Sequence, residues 1–171
     1  MKDAHVASWS LVDFVYDASH SAAFGGSAVA LFFLVLDSIQ GQPFRTPSIL
    51  GSALFLGASP SSAVPVQMDM VAYYTIVHFL VFGLVGMLLS ILVHEAELHA
   101  RHPGEVLAAA VLLLEGAFLV STHVLLPGVL EELGGVRVFV ANVLAVAVML
   151  AFLLQSHQPD LWQRLLGSSG S

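Results

Sequence analysis

The chain has 171 residues, of which 57% are hydrophobic and only 10% charged, and its mean hydropathy is +0.88. Soluble domains carry roughly a quarter charged residues, so this composition cannot supply a water-facing shell. A net charge of -7 with only five Lys and Arg excludes nucleic acid as a partner, and the absence of cysteine excludes disulfides, thiolate metal sites and thiol nucleophiles.

Residues 1–20 contain Lys2, Asp3, Asp13 and Asp17 and no early apolar block, unlike a cleavable signal. Trp9, Val12, Val15 and Tyr16 share one helical face, and Ser10, Asp13, Asp17 and His20 another. That pattern predicts an amphipathic N-terminal helix with an aromatic anchor, lying in an interface or extending the first span outward. Its acidic polar face makes it a poor free-standing lipid binder, so it reads as part of the bundle. The first span follows over residues 21–40, with Ala22–Leu36 free of charge.

Pro43, Pro47, Pro60 and Pro65 break the next stretch. Between them residues 48–57 are apolar but too short to cross a bilayer, which takes about 20 residues. A re-entrant or interfacial half-helix is expected there, with Pro47 in its first turn. Three further spans are expected over residues 70–94, 104–126 and 134–155. Pro103-Gly104 makes the second and third antiparallel neighbours; Pro127-Gly128 ends the third, and Gly134-Gly135 opens the fourth. Gly26, Ala30, Gly83, Gly86, Ala141, Ala145 and Ala151 are the small residues that would let these helices approach closely. Residues 167–171, all Gly and Ser, read as a flexible tail outside a single domain over residues 1–166.

Ionisable groups at membrane depth are costly, so each is a candidate for function. In an antiparallel hairpin turning near Pro103, residues whose numbers sum to about 198–201 lie level. His78 and His123 meet that condition, with Asp37 on the same side of the membrane. Two imidazoles from different helices could hold a b-type heme beside Gly83 or Gly86, or a transition metal with Asp37 or Glu115. The blander reading gives each histidine an interhelical hydrogen bond to a hydroxyl or a carbonyl. Glu115 falls nearer the middle, level with Asn142. Low dielectric favours a neutral carboxyl group, which suits a proton relay; a carboxyl paired with the Asn142 amide is equally an ordinary packing device. Beyond the second span, Glu95, His99 and His102 share a face that could bind Zn or Cu, or simply form the polar collar of a helix leaving lipid.

Catalytic signatures fail on spacing. His94-Glu95-Ala96-Glu97-Leu98-His99 is one residue too long for a zinc-protease helix. No Glu-x-x-His, G-x-S-x-G or Walker loop occurs. The chain is therefore expected not to be an enzyme.

The segments Gly41–Gly57 (GQPFRTPSILGSALFLG), Tyr74–Phe79 (YTIVHF), Glu115–Phe118 (EGAF) and Ala141–Ala145 (ANVLA) resemble a group of small bacterial four-span membrane proteins with no assigned function. The resemblance implies four crossings over most of the chain and directs attention to His78, Glu115 and Asn142. It implies no activity.

The fold expected is all-α: an integral membrane four-helix bundle with an amphipathic N-terminal helix and a half-helix between spans one and two. Its partners would be membrane lipid and other membrane subunits or further copies of itself. Lys2, Arg101 and Arg164 lie at the terminal end, against Arg45 and Arg137 at the other. That count favours cytoplasmic termini, and the resemblance implies a bacterial inner membrane. Three functions compete: a non-catalytic membrane subunit or scaffold, a heme- or metal-binding electron carrier, and a small proton-coupled transporter.

Overall fold

A computed structural model describes residues 10–60, 65–99 and 103–157. These form helices α1 (Leu11–Ile39), α2 (Arg45–Leu56), α3 (Met68–His99), α4 (Pro103–Leu125), α5 (Val129–Leu133) and α6 (Gly135–His157), and no strand occurs among the described residues. Helices α1, α3 and α6 are long and apolar enough to cross a membrane. At 1.5 Å per residue, even the 23-residue α6 spans about 34 Å, against a hydrocarbon core of about 30 Å.

The amphipathic segment and the first span are one continuous helix. Ser10 starts it with a capping box: its hydroxyl accepts from Asp13 N, and the Asp13 carboxylate accepts from Ser10 N. No breaker follows before Gly25, and Ser19 Oγ and the His20 ring both bond back to the Tyr16 carbonyl. The segment faces opposite to a soluble amphipathic helix. Val12, Val15 and Tyr16 are exposed, whereas Asp17 and Ser21 are buried. Trp9, the rest of the expected aromatic anchor, lies outside the described residues.

α1 is the hub, packed most extensively against α3 and α6. Its buried face is a column of small residues, Ala18, Ser21, Ala22, Gly25 and Gly26. A Cβ at Gly86 of α3 would lie 2.5 Å from the Ala18 carbonyl, and one at Gly25 would lie 2.5 Å from Met149 Cγ of α6. At Gly86 the neighbour is backbone, which excludes anything larger; at Gly25 it is the Met149 side chain. Contacts of Ala18 and Ala22 with Gly86, and of Gly26 with His78, run in opposite chain directions, so α1 and α3 are antiparallel. His20 against Phe152 and Gly25 against Met149 give the same sense for α1 and α6. Of the notches expected from sequence, Gly26, Gly86, Ala141 and Ala145 are buried. Ala30 is exposed, Ala151 is half-buried, and Gly83 opens on free space.

Two apolar cores divide the molecule. Leu89, Val93, Met149 and Leu153 form one, toward the C-terminal ends of α3 and α6. Leu50, Val129, Leu133 and Val138 form the other, where α2 and α5 close the opposite end. The half-helix begins three residues earlier than its apolar run, at Arg45, and places Pro47 in the first turn. α5 was not expected. Its Val129 and Leu133, one turn apart, are buried beneath the acidic pair Glu131 and Glu132.

Candidate functional site

The polar side chains buried in an apolar molecule are where function would reside, and Asp37, His78 and Glu115 each have an identifiable partner. Asp37, 2% exposed near the end of α1, turns toward α2. Phe44 occupies the N-cap of α2 at φ 66° with no side-chain cap of its own. Asp37 supplies the missing acceptor: Thr46 N donates across 2.7 Å and Thr46 Oγ1 across 2.8 Å. Beside it, Arg45 donates to Glu132 and ties α2 to α5. Asp37 is thus a cap for a neighbouring helix rather than a member of a histidine cluster.

His78 projects from α3 toward α1. Its Nε2 lies 2.9 Å from the Gly26 carbonyl, and the missing Gly26 Cβ leaves room for the neighbouring rings of Phe79 and Phe82. Tyr74, Phe79 and Phe82 surround the imidazole at centroid distances of 4.8–5.8 Å. His123 is exposed on α4. The expected pairing of the two rings is not seen: His78 Nε2 is taken up by the Gly26 carbonyl of α1, and its ring packs against Tyr74, Phe79 and Phe82. The Gly83 and Gly86 positions also do not frame a macrocycle, because Gly86 is filled by Ala18 and Ala22.

Glu115 is buried on α4, and Asn142 Nδ2 of α6 donates to its Oε1 across 3.4 Å, the pairing that matched depth predicts. Of the third expected group, Glu95 is exposed near the end of α3 and the His99 backbone closes that helix; His102 lies outside the described residues. Among the described residues no group of three or more His, Cys, Asp or Glu side chains is placed to hold a metal ion.

Among the described residues the buried hydroxyls of Ser21, Ser52 and Ser90 have no hydrogen-bond partner, and none was singled out in the sequence. Serine is easily passed over because it is small enough for close helix packing and uncharged. The signal for Ser21 was its place one turn after Asp17, on the same face as Ala18, Ala22 and Gly25. Comparison with family models, curated proteins and solved structures returned no match.

Proposed function

We propose that the chain is an integral membrane protein with four crossings, α1, α3, α4 and α6, acting as a non-catalytic subunit or scaffold of a membrane assembly. At 23 residues, α4 is long enough to be the fourth crossing. The side chains support lipid as solvent: Leu31, Val35, Ile76, Leu80 and Leu84 face outward, while Asp17, Asp37, His78 and Glu115 face inward. The positive charges and the resemblance to bacterial four-span proteins favour an inner-membrane location with both termini cytoplasmic.

One observation carries the docking role. Gly25, Gly26, Gly51 and Gly86 are each packed tightly by a neighbouring element, but Gly83 of α3 and Gly116 of α4 meet nothing within 4 Å. Their numbers place them level on adjacent antiparallel helices. Gly116, Val120 and Val124 form a continuous exposed line along α4, itself less extensively packed than α1 or α3. Lipid chains gain nothing from a glycine notch, whereas another transmembrane helix does. Glu115–Asn142 and His78–Gly26 fit this role as interhelical fasteners that hold the docking face in place.

The test is a photoreactive side chain at Val120, introduced in native membranes, with one at the outward-facing Leu31 of α1 as control. A protein adduct of discrete mass from Val120 alone, lost when Gly116→Leu is added, is the expected result. Adducts with lipid only, from both positions, would overturn the proposal.

A further inference from the structure

A recess lies between α2 and the segment that follows it, bounded by Arg45, Ser48, Ile49, Ser52, Ser59 and Val66. We infer that this recess is a hydrated binding site, holding water against the buried hydroxyl of Ser52 and making one face of α2 a water-facing surface. The inference does not depend on what α4 docks against.

Ser52 carries the case. It is 7% exposed, its Oγ has no partner in the protein, and it lines the recess. A hydroxyl removed from water without a hydrogen bond costs about 1–3 kcal/mol. Its own helix leaves it unsatisfied: the Ser52 carbonyl takes the amides of both Gly57 and Ala58 at the end of α2, but the side chain takes no part in that cap. Ser21 and Ser90 are also without partners but are buried completely, at 0% exposed, and neither lines this recess.

Size decides the ligand. The space open to the centre of a water molecule is about 20 Å³, and one water needs roughly 10–15 Å³ on that measure. One water fits, or two closely placed; a heme or a lipid headgroup does not. Charge agrees with a neutral ligand, because Arg45 is already paired with Glu132, and Asp37 occupies the N-terminus of α2. The rest of the lining is mixed, with Ser48 Oγ accepting from Gln67 N and Ser59 exposed at the rim. A short helix set partly into a membrane is tolerated where it faces protein or water. α2 does both, with Gly51 against Met70 on one side and the recess on another.

The chain has no cysteine, so single cysteines report without background. Purified full-length Ser52→Cys is exposed to silver ion, a probe no larger than water that does not enter hydrocarbon. After quenching and unfolding, the remaining free thiol is counted with a maleimide. A thiol ionises and reacts only where water reaches it, so Ser52→Cys should be blocked about tenfold faster, or more, than Ser21→Cys and Ser90→Cys. Ser59→Cys at the rim sets the fast limit. Ala58 also lines the recess, and adding Ala58→Phe as a plug should slow Ser52→Cys without slowing Ser59→Cys. A Ser52→Cys rate equal to those of Ser21→Cys and Ser90→Cys overturns the inference. So does a rate the plug leaves unchanged, because the thiol is then reached by local opening rather than through the recess.

Discussion

At the residue scale, glycines with the same sequence signature divide by what stands opposite them. A Cβ at Gly86 would lie 2.5 Å from the Ala18 carbonyl, and one at Gly51 would collide with the Met70 carbonyl. Backbone cannot swing aside as a side-chain terminus can, so each substitution must separate two helices. Gly86→Ala and Gly51→Ala should each cost about 1–3 kcal/mol. Gly83→Ala, three residues from Gly86 in open space, should change stability by no more than about 0.5 kcal/mol in either direction. Equilibrium unfolding in mixed micelles checks the contrast, and equal losses at Gly83 and Gly86 would contradict the packing described. The buried ionisable residues were legible as positions, because charge in an apolar run stands out. Their partners were less so: Asn142 could be guessed for Glu115 from depth, whereas the Gly26 carbonyl that meets His78 is backbone, which every residue possesses.

Among the elements, α2 depends most on its surroundings. It has 12 residues, a left-handed Phe44 at its N-cap and Gly57 in the same conformation at its C-cap. Isolated helices this short are marginal even with good sequences. Asp37 satisfies its first free amide and the Thr46 hydroxyl together. Asp37→Ala should therefore destabilise by about 2 kcal/mol, the loss of a cap plus an unsatisfied buried hydroxyl. Hydrogen exchange at the Thr46 amide should accelerate selectively, and Asp37→Asn, which keeps an acceptor, should lose less than half as much. Unchanged exchange at Thr46 would contradict the capping role. The sequence showed a short apolar run between prolines and so located α2; its first turn was hidden because Arg45 and Thr46 are polar and their cap comes from α1. α5 was missed for a related reason: five residues carry too little periodicity to distinguish a helical turn from a loop.

For the whole molecule, the order of apolar spans was legible and their neighbours were not. Leu89 is fully buried among protein side chains and adjacent Leu88 is 49% exposed, yet protein core and lipid tails are both apolar, so polarity does not select between the two positions. That is why α1, the most polar of the three long helices at its N-terminal end, was not recognised as the hub from hydropathy alone. The same exchange of surfaces predicts bulk behaviour. Removing detergent should drive the protein into aggregates or into added vesicles, detectable by sedimentation, because outward residues such as Leu31, Ile76, Leu80 and Leu84 have no protein cover. A monodisperse species in plain buffer would contradict lipid solvation.

The clamp between Arg45 and Glu132 has a consequence for biogenesis, because it joins residues 87 positions apart. A ribosome adding about 5–20 residues per second leaves Arg45 waiting roughly 4–17 seconds for its counter-ion. Asp37 and Thr46, nine positions apart, can engage as soon as both emerge. Nascent α2 is therefore anchored at one end early and locked only after α5 is made, so truncation before Glu132 should leave a half-seated intermediate for quality control to recognise.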